Sequence, residues 1–366
     1  MADAVKKRNG EIDFFKFVAS IYVVLFHSRA FYNPDLFKGA MALAVEFFFV
    51  VSGYFFARSV YGDKRKFRGS SIGTETLGFM RHKIGGFIYY FLLGFACSFA
   101  AGFYRKGFEL FSLVNVKDFI YEFFLLTLLT GTSSKIVPAD WYLSAMLVAM
   151  FVLYPLFRYK KDLFSGVIAP IVGIGGLGYL MNKYGILAAG GDGDFPSKGL
   201  IRAFVGICVG VFAYRISEML KAKEFGKVGK TILSLVSCVC VISTFVLFIN
   251  MPAEVQSLPV FLSMIFVAIS TSGKSYFSRL FPVRICQKLG EFSLAIYLAH
   301  SAVRSFLLGL RSDYPVLKLF FSNGNRQWVG VLIYVICSAI LAIVFMALTS
   351  LIKKARQKKA AATAAV

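Results

Sequence analysis

The chain has 366 residues, 58% of them hydrophobic and only 16% charged, and its mean hydropathy is +0.69. A soluble domain of this length has no use for so much apolar surface, whereas a series of membrane-spanning helices does. The formal charge of +22 is spread between apolar runs rather than gathered in a separate domain, which argues against a nucleic-acid partner and for a multispan protein that marks its cytoplasmic loops with Lys and Arg.

Residues 1–13, MADAVKKRNGEID, lack the apolar core and small-residue cleavage site of a secretory signal, so the first span is expected to be retained. That span, residues 8–28, carries Lys16 near one end and His27 toward the other. Eleven residues at about 100° each make about 1100°, three turns plus about 20°, so both side chains lie on one stripe about 16 Å apart along the axis. An ionisable group at the bilayer centre costs about 2.5–3.5 kcal/mol on an insertion scale and usually faces a bundle interior or a wet cavity. Two on one stripe predict a polar path into the membrane, with His27 as the group able to move a proton near neutrality. The plainer alternative is a snorkelling Lys16 and a packing His27.

Further apolar runs follow at 40–57, 84–102, 119–131, 141–157, 163–182, 199–214, 231–249, 258–273, 289–309 and 328–352. Most are long enough for a hydrocarbon core of about 30 Å. The run 119–131 is short, contains Glu122 and leads into Thr-Gly-Thr-Ser-Ser, so it is expected to be a re-entrant or partial helix. With ten spans and both termini in the cytoplasm, the cytoplasmic segments hold 27 of the 41 Lys and Arg and the outer segments 11, while Lys16, Arg202 and Arg304 lie within spans. Had 119–131 crossed, the basic loops at 158–161, 215–230 and 274–288 would face outward, against the positive-inside rule. The predicted fold is therefore an all-α polytopic membrane bundle of about ten transmembrane helices. Residues 1–352 form one integral membrane domain in this reading, and 353–366 form a basic disordered tail.

The loop 58–83 is the densest basic segment; its charge is topogenic, or it holds the phosphates of an anionic cytoplasmic cofactor. The Gly- and Asp-rich stretch 190–194 lacks the spacing and terminal Glu of a calcium loop and reads as flexible linker. The six Cys sit in or beside spans with neither CxxC nor His at ligand spacing, so no metal site is expected. Glu46, in an apolar run, needs a partner: His27 is one choice, and Arg29 or Arg202 would be structural alternatives. Ser52-Gly53 allows close approach of a neighbour or ligand. Asp140 and Trp141-Tyr142 stand at a membrane edge, where the aromatics anchor or stack on a sugar. His82, in Arg-His-Lys, reads as a solvated interface residue. His300 and Arg304 share a helical face that should point at a cavity or a carboxylate.

Four stretches, in order along nearly the whole chain, together resemble the acyltransferase-3 family of multispan membrane enzymes. They are Arg8-Asn9 with Ile12-Asp13-Phe14-Phe15-Lys16 and His27-Ser28; Glu46-Phe47-Phe48-Phe49 running to Ser52-Gly53-Tyr54-Phe55; Trp141-Tyr142-Leu143 leading to Tyr154-Pro155-Leu156; and Ile296-Tyr297-Leu298 with His300. One departure is Lys16, where the family has Arg, which keeps the charge and loses the planar fork. The resemblance implies a cell-membrane acyltransferase that takes an acyl group, most simply acetyl, from acyl-CoA as co-substrate, with no resident cofactor. The acceptor would be a hydroxyl of a cell-surface polysaccharide, a lipid-linked sugar or a similar molecule. It assigns His27 as general base or acyl relay, Glu46 as the group that orients it, and Lys16 as attracting the donor or stabilising the oxyanion. Arg81 and Lys83 are donor candidates, and Asp13, Ser52, Trp141, Tyr142, Tyr297, His300 and Arg304 are cavity or acceptor candidates. The competing reading is a transporter or flippase for an anionic or glycolipid substrate, whose usual internal symmetry is not evident.

Overall fold

In lipid a backbone can satisfy its own N–H and C=O groups as helix, and apolar runs of this length follow that constraint. A computed structural model describes residues 8–31, 39–62, 71–130, 134–187, 196–314 and 327–364, and among them there is helix and no sheet. The basic stretch 63–70 and the Gly- and Asp-rich stretch 188–195 lie outside the described residues.

Helix α1 (Gly10–His27) starts at Asn9, whose side chain accepts from the Ile12 N–H at 3.1 Å. It is followed by α2 (Ala44–Gly62), then by α3 (Ile72–Gly85) and α4 (Ile88–Lys106), which meet at a 59° bend. The short α5 (Glu109–Leu113) and α6 (Val116–Phe123) precede α7 (Trp141–Tyr159). The next span, Lys161–Tyr184, runs from α8 (Lys161–Leu163) through π-helical turns at Phe164–Ile168 and Ile171–Gly175 into α9 (Gly176–Tyr184). Pro170, which has no N–H to donate, lies between the two widened turns. Then come α10 (Lys198–Lys221), α11 (Lys227–Ile249), α12 (Leu258–Ser272), α13 (Val283–Asp313) and α14 (Gln327–Ala364).

Among the described residues eight helices are long and apolar enough to cross a membrane, or nine with the bent α3–α4 pair counted as one span. Helix α1 falls outside that tally because Glu11, Asp13 and Lys16 lie within its 18 residues, yet it packs along both α2 and α13. The run 119–131 supplies an eight-residue α6 and a 3-10 turn at Thr127–Leu129. Eight residues rise about 12 Å, well short of a hydrocarbon core. At the C-terminal side α14 carries the helix on through Ala364, with Lys353, Lys354, Arg356 and Lys358 exposed. Its Ala- and Lys-rich composition is itself helix-favouring, and α14 already nucleates the helix.

Helix α2 is central, 78% of its apolar window being buried in the protein, against 28% for α14 and 33% for α11. The outward Leu235, Val239, Ile242 and Val246 of α11 make a lipid-facing stripe. At the centre α2 and α10 touch backbone to backbone: a Cβ on Gly53 would collide with the Ile207 carbonyl, and one on Gly210 with the Val50 carbonyl. Gly210→Leu is therefore expected to abolish the monodisperse folded protein in detergent. Gly178→Leu, on an exposed face where an added Cβ meets nothing within 4 Å, should leave it intact. Size-exclusion and thermal melts of the two variants check this, and equal behaviour would refute the close-packing argument.

Candidate active site

Between α1, α2, α7, α13 and the α3–α4 bend lies a cavity of about 350 Å³. Lys16, His82 and Lys83 line one side of it; Ser52, Tyr142, Ser293 and Tyr297 provide the remaining polar groups; Phe48, Val51, Phe87, Leu143, Met146 and Leu294 make up much of the apolar wall. A mainly apolar hollow with a few convergent polar groups is what a small-molecule site looks like. Of the residues expected from the sequence, the structure thus gathers Lys16, Lys83, Ser52, Tyr142 and Tyr297 around one space. Arg81 is exposed and is not among the residues that line the cavity, whereas its neighbours His82, itself exposed, and the half-buried Lys83 are. His82, read from its sequence neighbours as a solvated residue, is exposed as expected and also borders the cavity, where the bend after Gly85 brings it; no local pattern announces that bend.

Charge at the mouth is tightly accounted for. The Lys16 Nζ lies 3.3 Å from Asp13 Oδ1, Arg8 Nε donates to Asp13 Oδ2 at 2.9 Å, and Arg8 Nη1 reaches Glu291 Oε1 at 3.1 Å. Asp13 therefore holds two cations and is not among the residues that line the cavity. The Ser293 hydroxyl donates to the Lys16 carbonyl at 2.9 Å and locks α13 to α1 at this level. Glu11, one turn earlier, is fully buried and accepts from the hydroxyls of Ser237 and Ser270, which ties α1 to α11 and α12.

Across the cavity the Tyr142 hydroxyl lies 3.0 Å from Ser52 Oγ and 3.3 Å from the Phe48 carbonyl. Tyr297 donates to the Ala139 carbonyl at 2.6 Å. Ala139 sits on the turn that leads into α7, and that turn is built around Glu122, whose carboxylate accepts the backbone N–H groups of Lys135, Ile136 and Val137. Asp140, fully buried beside it, accepts from the Ser134 hydroxyl. Outside the spanning helices, burial and the neighbouring Glu122 carboxylate push the Asp140 carboxyl well above its ordinary range. The α6 carboxylate that breaks the 119–131 run is thus a cradle for the Tyr297 anchor.

Glu46 does not meet His27. It pairs with Arg202, Nε to Oε1 at 2.6 Å, both nearly buried, and the guanidinium lies 5.0 Å from the Trp141 ring centroid. The half-buried Trp141 is therefore engaged by Arg202 and is not among the residues that line the cavity. The half-buried His27 faces His300, with ring centroids 5.0 Å apart. His300 is fully buried; its Nδ1 lies 3.3 Å from the Ile296 carbonyl, and its Nε2 has no partner among the described residues. The Tyr297 ring touches His300 at 5.9 Å, so rings run unbroken from the cavity wall to the end of α1. Arg304 sits one turn beyond His300 on α13, near enough to act electrostatically on both imidazoles.

A family model described as an acyltransferase domain, of the acyltransferase-3 type, matches residues 9–350. An amino-acid racemase of Enterococcus faecalis is 24% identical over 378 aligned positions, covering 97% of this chain and 48% of that protein, so the chain spans about half the length of this relative. No solved structure matches.

Breaking a buried ion pair by removing one partner costs about 3–5 kcal/mol, whereas replacing both by apolar groups can be nearly neutral. Glu46→Ala should therefore lower the thermal midpoint sharply. The double variant Glu46→Met/Arg202→Met should lose much less than the two single changes added together, and simple additivity would refute the pairing.

Proposed function

The chain belongs to the acyltransferase-3 family, and from that premise we propose that it moves an acetyl group from acetyl-CoA to a hydroxyl of a cell-surface glycan, a lipid-linked sugar or a similar acceptor. The carrying observation is the continuous sequence of groups from Lys16 and Lys83, through the cavity and Tyr297, to His300 and His27. A cationic mouth suits the phosphates of a coenzyme A donor, and an imidazole at the far end suits proton removal from an alcohol. The topology we adopt has ten spans, with α1 and the bent α3–α4 pair among them and both termini cytoplasmic. The Lys16 side of the cavity then opens toward the compartment that supplies the donor.

In this mechanism the acceptor hydroxyl gives its proton to His27 as its oxygen attacks the thioester carbonyl. The carbon–sulfur bond breaks, and the departing thiolate takes up a proton and leaves as coenzyme A. Lys16 and His27 are about 16 Å apart along α1, so one carbonyl oxygen cannot be served by both. Lys16 and Lys83 accordingly hold the polar end of the donor, and the extended pantetheine arm bridges to the imidazoles. Glu46 acts at a distance, by fixing Arg202 and through it the start of α7. The racemase activity named for the Enterococcus faecalis relative is not proposed, since the shared region is about half of that protein and the acyltransferase family accounts for it in this chain.

Purified protein given labelled acetyl-CoA should release CoA in the presence of glycan extract. A stoichiometric burst of release without acceptor would instead mark His27 as an acyl carrier. His27→Ala, inserted at normal level, should lower acyl transfer about 100-fold or more. Lys16→Ala should raise the KM for acetyl-CoA, and Lys16→Arg should largely restore it. Unchanged transfer in His27→Ala would remove that imidazole from the mechanism.

A further inference from the structure

Arg8, Lys16, Arg158 and Arg202 each meet a carboxylate. Arg304 meets none among the described residues: its Nε is buried without a hydrogen-bond partner, and the titratable groups beside it are the Tyr334 hydroxyl and then Arg105, of its own sign. A guanidinium does not deprotonate in proteins, and a buried charge without a counter-charge is costly. Two imidazoles lie beside it, one of them the fully buried His300 with an unpartnered Nε2. With Nδ1–H donated to the Ile296 carbonyl, that Nε2 carries a lone pair free to accept a hydroxyl proton. The cluster is not sealed, since His27 and Arg304 are both half-buried. Its one cation and two bases suit an anionic ligand that carries a hydroxyl, and a guanidinium fork matches phosphate or carboxylate in two-point fashion.

Spacing narrows the ligand further. Side chains four residues apart on a helix stand about 5–6 Å from each other. We propose that the acceptor is an anionic sugar: Arg304 binds its phosphate or carboxylate while a hydroxyl about one helical turn away is presented to His27 and His300. This rests on the acyl-transfer reading for the fate of the hydroxyl, but the anion subsite itself can be tested without turnover. A pyranose with a phosphate or a carboxylate at one end of the ring carries hydroxyls at such a distance on the other.

The test is equilibrium binding of labelled glucose 1-phosphate and labelled glucuronic acid to the purified full-length protein in detergent, with methyl glucoside as the neutral competitor. The expected result is saturable binding of at least one anionic sugar, with methyl glucoside competing at least tenfold more weakly. Whichever of the two binds identifies the anion as phosphate or carboxylate. Arg304→Ala should weaken that binding at least tenfold and, in CoA-release assays, raise the acceptor KM while sparing kcat. If Arg304→Ala does not yield folded protein, Arg304→Gln, which keeps size and donors but loses the charge, should show the same loss. The proposal is overturned if neither anionic sugar binds, if methyl glucoside competes equally, or if a folded Arg304 variant binds as the wild type does. Absence of CoA release with every acceptor would sink the acyltransferase reading while leaving the binding result to decide the subsite.

Discussion

The buried pair of Glu46 and Arg202 is the interaction on which the rest of the bundle leans. Lipid offers no solvent to a lone carboxylate or guanidinium, so each dictates that its partner's helix stand beside its own. Here the requirement joins α2 to α10, and the guanidinium lying on Trp141 brings in the first residue of α7. The glycine-lined contact between α2 and α10 then follows along the same seam, because two helices pinned at one level by a short ion pair can close at the next where side chains are absent. Tyr142, adjacent to Trp141, is delivered by this arrangement to the Ser52 hydroxyl, and the cavity wall is completed.

A second consequence concerns the imidazoles. With Glu46 committed to Arg202, no carboxylate among the described residues sits against His27, and the titratable ring it faces is another imidazole. Its orientation therefore comes from packing against rings, Phe26 on one side and His300 on the other, rather than from a hydrogen-bonded acid. His300 is in turn held by the Ile296 carbonyl, and its own carbonyl accepts from Tyr334 at 3.3 Å, which ties the pair to α14.

Much of this was legible in the sequence, for identifiable reasons. Apolar runs of full bilayer length give helices, and the rise of 1.5 Å per residue makes the shortness of the helix in 119–131 readable from length. Glu46 advertised its need for a partner, but spacing could not rank His27 against Arg202, which is 156 residues away in the chain. Glu122 looked like an interruption of an apolar run; that it gathers three backbone N–H groups 13 to 15 residues downstream is a tertiary fact with no local pattern. The partners of Glu11 are likewise tertiary, hydroxyls of Ser237 on α11 and Ser270 on α12.

The stripe shared by Lys16 and His27 on α1 shows what helical periodicity can and cannot deliver. It places both groups toward the bundle interior, but with about 16 Å between them they belong to two different surroundings: a cavity mouth with Asp13 and Ser293, and a ring cluster with His300. What joins the two is α13. Ser293 bonds the Lys16 carbonyl, Tyr297 walls the cavity, His300 meets His27 and Arg304 lies one turn further, so α13 repeats the polar stripe of α1 on the facing helix at intervals of three to four residues. A path through lipid needs two such stripes in register, because one polar face alone would open onto hydrocarbon. The register is set at one end by Ser293 on Lys16 and near the other by the two imidazoles, and the Tyr297 hydroxyl fixes the level between them through the Ala139 carbonyl and the Glu122 turn. The chemistry proposed for α1 is thus a property of the α1–α13 pair.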